Sequence, residues 1–223
     1  MKLNTFCILL LASIIVSACG GGGPADGAER AHEYVGEIPG TELYVAIAVN
    51  PDGNVLAYVC DGMGVDYLFR GTSQPGAPLS LSAESSDARL EAVIDDNTYA
   101  GVFLIDGKEY PFVTVPAKDY GGLYHVTGLS ETEAEGLSQS GSSLKASLLP
   151  DKSGLHLEVT TVDGVLLSSD RLWIDGHDHS EPSEYRENWV ILLNNGSGRG
   201  GRIKSSFLAG NSTLRFFDPI CPP

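Results

Sequence analysis

Two histidines stand among acidic residues in the segment DGHDHSEPSE, residues 175–184. If this segment is extended, side chains two positions apart point the same way, which places His177 and His179 on one side of the chain. Zinc and copper accept imidazole nitrogen and carboxylate oxygen as ligands. We therefore interpret His177, His179 and Asp175 as a candidate metal site. The alternative is a solvated acidic loop, because the glycine and proline of this segment impose no fixed ligand geometry.

A cysteine, Cys60, ends an apolar run in LAYVCDGMGVDYLF, residues 56–69. Its sulfur suits three roles: nucleophile, metal ligand or half of a disulfide. A nucleophilic cysteine needs a cationic neighbour that lowers the pKa of its thiol, and the next residue here is the acid Asp61. The nucleophile is thus disfavoured, and the choice depends on the compartment in which the chain folds.

Other catalytic and cofactor patterns have little support. The run GSGRGG, residues 196–201, fits GxGxxG, and Asp218 follows about twenty residues later, as in dinucleotide-binding units. The next residues, RIKSSFLAGN, are too short and too broken for the crossover helix that such a unit needs, so we interpret the run as a flexible hairpin loop. The sequence has no GxSxG, HExxH or P-loop pattern. We therefore assign no catalytic residue and predict no cofactor.

The compartment is indicated by the opening residues, MKLNTFCILLLASIIVSACGGGG. Lys2 provides a positive start, an apolar stretch too short to span a bilayer follows, and VSAC ends at Cys19. This pattern resembles the lipobox of bacterial lipoproteins, which implies cleavage after residue 18 and acylation of Cys19. Residue 20 is glycine rather than aspartate, which by the same resemblance favours the outer membrane if the host is Gram-negative. The alternative is an ordinary signal peptide that is cut near a cysteine.

Residues 19–32 are rich in glycine and poor in apolar side chains. Such a segment behaves as a flexible coil with a span of roughly 20 Å. We predict that it tethers a single β-rich domain, residues 33–223, to the extracytoplasmic face of a membrane.

The number of cysteines indicates a bonding partner for Cys60. Of the four cysteines, Cys7 leaves with the signal peptide and Cys19 takes the lipid, so Cys60 and Cys221 remain as an even pair. Thiols outside the cytoplasm tend to be oxidised. We predict a disulfide between Cys60 and Cys221.

The charge limits the class of partner. The chain has a net charge of −15, which becomes −16 when Lys2 is lost with the signal peptide, and it has no basic cluster. Nucleic-acid binding needs Lys and Arg against phosphate and is therefore excluded, and direct adhesion to anionic lipid is disfavoured. A cationic protein, another envelope component or a divalent ion would suit this charge, as would solubility alone.

The apolar pattern predicts β-strands throughout. ELYVAIAVN and NVLAYVC flank the turn sequence NPDGN, and TYAGVFLI and KEYPFVTV flank Asp106-Gly107 in the same way. SLKASLLP pairs with LHLEVTTV, and NWVILL precedes a glycine-rich turn and the short RIKS. The sequence therefore predicts an all-β fold, an antiparallel hairpin meander that forms a barrel or a sandwich with little helix. Residues 129–140 suit either a short surface helix or a polar loop, and the polar stretch 128–142 suggests two halves, residues 33–127 and 143–223.

Several short segments form one series: AYVCDG at 57–62, YLFRG at 67–71, GLY at 122–124 and WVILLNNG at 189–196. This series resembles a group of uncharacterised exported bacterial proteins with a YLCDG…W…G module. The chain departs from that group in having Tyr67 and Phe69 where a tryptophan is common. The resemblance implies β structure and carries no catalytic residue.

Three functions follow as hypotheses. The first is a lipid-anchored, non-catalytic β-domain of the cell envelope that binds a partner. The second is an inhibitor of a basic enzyme such as lysozyme, because small exported inhibitors of that kind are acidic, disulfide-bonded β-barrels with a YxC strand similar to YVC at 58–60. The third is a metal-binding or hydrolytic envelope enzyme that uses residues 175–184.

Overall fold

The structure is a computed structural model that describes residues 29–61, 65–83, 86–95, 97–129, 133–150, 155–171, 189–200, 203–204 and 213–214. Within these residues every regular element is a β-strand, and the strands pair in antiparallel sheets. The predicted all-β class is confirmed. The described residues contain no helix that is long and apolar enough to cross a membrane.

Eighteen strands follow one another along the described chain. In chain order they are β1 (His32–Glu37), β2 (Tyr44–Val49), β3 (Asn54–Cys60), β4 (Asp66–Thr72), β5 (Leu79–Ser82), β6 (Arg89–Asp95), β7 (Thr98–Ile105), β8 (Lys108–Val113), β9 (Val115–Pro116), β10 (Gly122–Leu129), β11 (Glu133–Ser138), β12 (Ser143–Leu148), β13 (Leu155–Thr160), β14 (Leu166–Arg171), β15 (Trp189–Leu192), β16 (Gly198–Gly200), β17 (Ile203–Lys204) and β18 (Thr213–Leu214).

These strands form three large sheets and one hairpin. Sheet A has the order β4-β3-β2-β1-β9, sheet B the order β5-β6-β7-β8, and sheet C the order β14-β13-β12-β11-β10-β15-β16. The hairpin pairs β17 with β18. Sheet A is the middle layer, because one of its faces shares a hydrophobic core with sheet B and the other shares a core with β10 and β15 of sheet C.

Burial on both faces explains the unbroken apolar runs of sheet A. Residues 44–48 of β2 and 55–60 of β3 are all buried. Val45 and Ile47 point into the core with sheet B, whereas Tyr44 and Ala46 point toward sheet C. A strand covered on both sides gains from apolar side chains at every position, while a strand with one wet face alternates. Strand β6 alternates in this way.

Sheets A and B enclose the first core and approach each other at both ends. At one end Phe69 of β4 bridges to Ala83 after β5. At the other end β1 passes so close to β8 that a Cβ atom on Gly36 would collide with the carbonyl oxygen of Val113. Glycine is therefore required at position 36, and the two sheets combine features of the sandwich and the barrel that the sequence predicts.

Apolar side chains of β10, β12, β13 and β15 form a second core on the face of sheet C that points away from sheet A. One prediction is wrong here. The stretch 129–140, which suited a helix or a loop, contains β11, which pairs with β10 on one side and β12 on the other. Strand β11 lies inside sheet C because both of its edges are paired. Its polar, glycine-containing composition does not indicate this position.

The predicted hairpins form with one change. Strand β2 pairs with β3, β7 with β8, and β12 with β13. Asp106 and Gly107 have φ of 51° and 71°, the left-handed conformation that a tight hairpin turn requires. Strand β15 pairs with β16, inside the glycine-rich run, rather than with RIKS, whose Ile203 and Lys204 pair with β18.

Candidate functional site

A cleft of about 430 Å³ opens where the edge of sheet A meets the rim of sheet C. One wall is the chain at residues 31–34, where β1 begins. The other walls are the β9–β10 loop and the turns that join β11 to β12 and β13 to β14. The lining mixes Lys118, Asp119 and Asp163 with the apolar side chains of Val165 and Leu167. Polar and charged residues make up about half of the lining, so this concave surface suits a ligand that carries both polar and apolar groups.

Glu33 lines this cleft, yet the residue is only 6% exposed. Its Oε1 accepts hydrogen bonds from the backbone N–H groups of Gln139 at 2.9 Å and Leu123 at 3.3 Å. Its Oε2 accepts one from the Ser140 hydroxyl at 2.6 Å. Burial raises the pKa of the Glu33 carboxyl, and these hydrogen bonds oppose part of the increase. The carboxylate therefore ties β1 of sheet A to β10 and the β11–β12 turn of sheet C.

The turn that carries Ser140 is held by its own serines. The hydroxyls of Ser138 and Ser140 lie 3.0 Å apart, and the backbone N–H of Ser142 donates to Ser138 Oγ at 3.0 Å. Both oxygens of Glu33 are occupied as well. The polar groups on this side of the cleft thus stabilise the wall, and their arrangement suits ligand binding better than proton transfer.

The β9–β10 loop is fixed by Asn194, which lies in the β15–β16 turn. The side-chain oxygen of Asn194 accepts from the backbone N–H of Lys118 at 2.9 Å, and its amide nitrogen donates to the carbonyl of Pro116 at 3.1 Å. Gly121 lies against the same side chain, because a Cβ atom at this position would collide with the Asn194 oxygen. This wall of the cleft is therefore preorganised.

Tyr120, in the same loop, reaches the edge strand of sheet C. Its hydroxyl donates to the carbonyl of Ser168 on β14 at 2.9 Å, and its own carbonyl accepts from the Tyr124 hydroxyl at 3.0 Å. Burial raises the pKa of Tyr124 well above its ordinary value, and the Glu33 charge adds to the increase. The two tyrosines join the β9–β10 loop of the cleft to the second core of sheet C.

Residues 196–200 of the GSGRGG run form the turn and second strand of a hairpin with β15, in agreement with the hairpin that the sequence predicts. Arg199 is 5% exposed, and its guanidinium lies 4.7 Å from the centre of the Tyr44 ring. The same guanidinium donates to Glu42 at 2.9 Å, and the Tyr44 hydroxyl donates to Ser197 Oγ at 3.3 Å. Strand β16 thus places Arg199 against Tyr44 of sheet A.

A second polar cluster lies on β13 and β14, at the exposed edge of sheet C. His156 Nδ1 and Asp170 Oδ1 are 2.6 Å apart, and His156 Nε2 is 3.8 Å from Glu158 Oε1. The hydrogen bond to Asp170 is the main cause of a raised His156 pKa. No group of three His, Cys, Asp or Glu side chains in the part of the chain that the structure describes is arranged to hold a metal ion.

Cys60, the cysteine within the described residues, is fully buried at the end of β3, on the face toward sheet C. The remaining site residues of the sequence analysis lie outside the described residues: Cys19, Cys221, Asp175, His177 and His179. The lipid, the disulfide and the metal site therefore stay predictions.

The segments that resemble exported bacterial proteins meet in the core between sheets A and C. Tyr58 and Cys60 of β3 belong to the same buried cluster as Leu123 of β10 and Trp189 of β15. Trp189 also packs on His125, with ring centres 4.6 Å apart. The series thus marks an interface between layers. No protein-family model, curated protein or solved structure matches the chain.

Sequence reasoning missed Glu33, Ser140 and Asn194 as parts of one site. The bond between Glu33 and Ser140 joins residues 107 positions apart, so no local spacing relates them. One signal was present: Glu33 shares a strand face with the apolar Val35 in HEYVGE, and a charged side chain on a buried face needs partners.

Proposed function

We propose that this protein is a lipid-anchored module of the cell envelope that binds a partner in the cleft and catalyses no reaction. One observation carries the proposal: residues 31 and 32, where the predicted tether joins β1, line the cleft. A lipid on Cys19 would therefore hold the cleft at an average distance of roughly 20 Å from the membrane surface.

The predicted location rests on the opening residues. Cleavage before Cys19 with attachment of several acyl chains would give stable anchoring, since each buried methylene contributes about 0.8 kcal/mol. The domain would then face the extracytoplasmic side, at the outer membrane if the host is Gram-negative.

Charge supports a cationic protein or envelope component as the partner. The chain is strongly acidic, and Asp119 and Asp163 face the cleft beside apolar Val165 and Leu167. A basic side chain with an apolar stem would match both features. An inhibitor of a basic enzyme such as lysozyme is the special case in which that partner is an enzyme.

A photo-crosslinking residue in place of Val165 tests the cleft in the full chain in its own membrane. Val165 is 54% exposed on the cleft rim, so the label should reach the bound partner without disturbing the core. The matched control carries the label at Pro39, which is exposed in the turn after β1, at the end of that strand opposite the cleft. We expect an adduct from position 165 alone. Equal adducts from both positions, or none from 165, would contradict the cleft as the binding site.

The anchor needs its own measurement. Mass spectrometry of the mature N-terminus should find Cys19 as the first residue with a diacylglycerol thioether. Cys19→Ser should leave the chain uncleaved and abolish the lipid mass. An unmodified Cys19 in the membrane fraction would overturn the anchoring part of the proposal and leave the cleft test intact.

A further inference from the structure

The outer face of sheet B, which points away from sheet A, is apolar and open. Its centre is formed by six outward-pointing residues: Val93, Ala100, Val102, Leu104, Pro111 and Val113. Val93 is 48% exposed and Val113 57% exposed, whereas their strand neighbours Ala92 and Phe112 are buried in the core with sheet A. Exposed apolar residues that form one continuous patch commonly mark an interaction surface.

The strand register arranges this face in three rows across β6, β7 and β8. The first row is Arg89, Leu104 and Glu109; the second is Glu91, Val102 and Pro111; the third is Val93, Ala100 and Val113. Opposite charges thus stand at the two ends of the first row, with leucine between them. The third row is apolar from end to end.

We propose that this face binds a second copy of the chain, face to face, around a two-fold axis that runs along β7. Rotation about such an axis exchanges β6 with β8 and keeps each row in place. Arg89 then meets Glu109 of the partner subunit, and the reverse pair forms by symmetry. Val93 meets Val113 of the partner subunit, while Ala100, Val102 and Leu104 each meet their own copies.

Charge decides between this axis and the other face-to-face arrangement. A two-fold axis perpendicular to the strands would exchange the first row with the third and place Arg89 against Val93 of the partner subunit. A charge would then be covered by an apolar side chain without a partner, which is strongly unfavourable. The axis along β7 pairs Arg89 with Glu109 of the partner subunit and stacks the apolar third row on itself, with Glu91 opposite Pro111 of the partner subunit. The perpendicular axis leaves both charges of the first row unpaired and also places Glu91 against its own copy, so it is the less favourable of the two.

The three rows contain nine side chains, whereas a standard interface has about 20–30 residues on each partner. We therefore expect a dimer that exchanges in solution, with a dissociation constant on the order of micromolar. Confinement of both copies to one membrane by their predicted anchors would raise their effective concentration.

Cysteine crosslinking of the full chain in its membrane tests the axis. Ala100→Cys and Val102→Cys place a thiol on the axis, opposite its own copy, on the solvent side of the sheet. Sheets packed face to face lie about 10 Å apart, which is too far for a direct disulfide, so a short bismaleimide reagent should convert both variants to a species of twice the mass on a denaturing gel. Val165→Cys is the control, because that position lies on the cleft rim and is more exposed than the two axial positions, yet it should not crosslink.

Charge-reversal variants provide a second test, because a folding defect would not produce a loss of crosslinking that the double reversal restores. Arg89→Glu alone, in the Val102→Cys background, places two pairs of like charges across the interface and should lower the crosslinked fraction by roughly tenfold. Glu109→Arg alone should do the same, and the double reversal should restore crosslinking. Absence of crosslinks at both axial positions, or single reversals without effect, would overturn the proposal.

Discussion

Glu33 of β1 and Ser140 of the β11–β12 turn are joined by a hydrogen bond of 2.6 Å, although 107 positions separate them in the chain. The same carboxylate accepts two backbone N–H groups of sheet C. A buried carboxylate is costly when its lone pairs lack donors and tolerable when they are filled. Glu33 therefore fixes how the edge of sheet A meets sheet C, and with it the shape of the cleft.

Two substitutions of Glu33 should distinguish the effect of its charge on stability from the effect of its hydrogen bonds. Glu33→Ala leaves the N–H groups of Leu123 and Gln139 without their acceptor, which should lower the free energy of unfolding by about 2–4 kcal/mol. Glu33→Gln keeps one oxygen as acceptor and offers an amide to Ser140 Oγ, so it should remain within about 1 kcal/mol of the wild type. Urea titrations followed by tryptophan fluorescence would measure both. Equal losses in the two variants would contradict this account.

Glu33 should also make stability depend on pH. Burial raises its pKa in the folded protein above the ordinary value of 4.5. Between these two pKa values the folded state binds more protons than the unfolded state, so the stability contributed by this group falls as pH rises and levels off above the folded-state pKa. The difference in unfolding free energy between wild type and Glu33→Gln should therefore decrease from pH 4.5 upward. A difference that increases with pH would mean that hydrogen bonds outweigh desolvation.

Arg199 and Tyr44 should be energetically coupled. The guanidinium lies 4.7 Å from the ring centre, within cation–π range, and its site is nearly closed to water. A double-mutant cycle with Arg199→Met and Tyr44→Leu should give a coupling energy of about 0.5–2 kcal/mol in unfolding experiments. Glu42→Gln is the control for the ion pair, because the Glu42 side chain is 65% exposed and should contribute little. Additive losses from the two substitutions would show that the contact contributes nothing.

His156 should titrate above its ordinary pKa of 6.5, mainly because its ring bonds to Asp170. The stabilisation from this pair is present below pH 6.5 and is lost as pH rises through the folded-state pKa. Asp170→Asn should lower the His156 pKa toward 6.5, whereas Asp163→Asn, in the turn before β14, should leave it unchanged. Histidine NMR signals followed against pH would measure each value. Identical His156 titration curves in wild type and Asp170→Asn would show that the hydrogen bond between His156 and Asp170 does not form in solution.

The sequence indicates the class of fold because its strands carry local signals. The pair Asp106-Gly107 indicates a tight turn. The unbroken apolar runs of β2 and β3 indicate strands that are buried on both faces. The sequence does not indicate strand β11, because its composition is polar and its place in the sheet depends on pairing with β10 and β12. The burial of Arg199 is not predictable from the sequence for a related reason. A glycine-rich run gives no local sign of packing, and Tyr44, which covers Arg199, is distant in the chain.

The candidate site depends on long-range contacts and is therefore harder to predict. Asn194 bonds to the loop at Pro116 and Lys118, more than 70 positions earlier in the chain. No periodicity connects these residues, because the contact exists only after sheets A and C have packed. Motif reasoning favoured residues 175–184, where histidines and acids are adjacent in sequence.

The predicted disulfide between Cys60 and Cys221 is tested by counting thiols in the mature full-length protein. Cys60 is wholly buried at the end of β3, so a thiol reagent should be applied under denaturing conditions without reductant. We expect no reactive sulfhydryl, two after reduction, and one in Cys221→Ser, because the partner sulfur is then absent. In the chain-entropy treatment so long a loop contributes on the order of 5 kcal/mol, so Cys221→Ser should unfold at lower urea than the wild type. Two reactive thiols before reduction would show that Cys60 is an ordinary core cysteine and that the C-terminal segment is not bonded to sheet A.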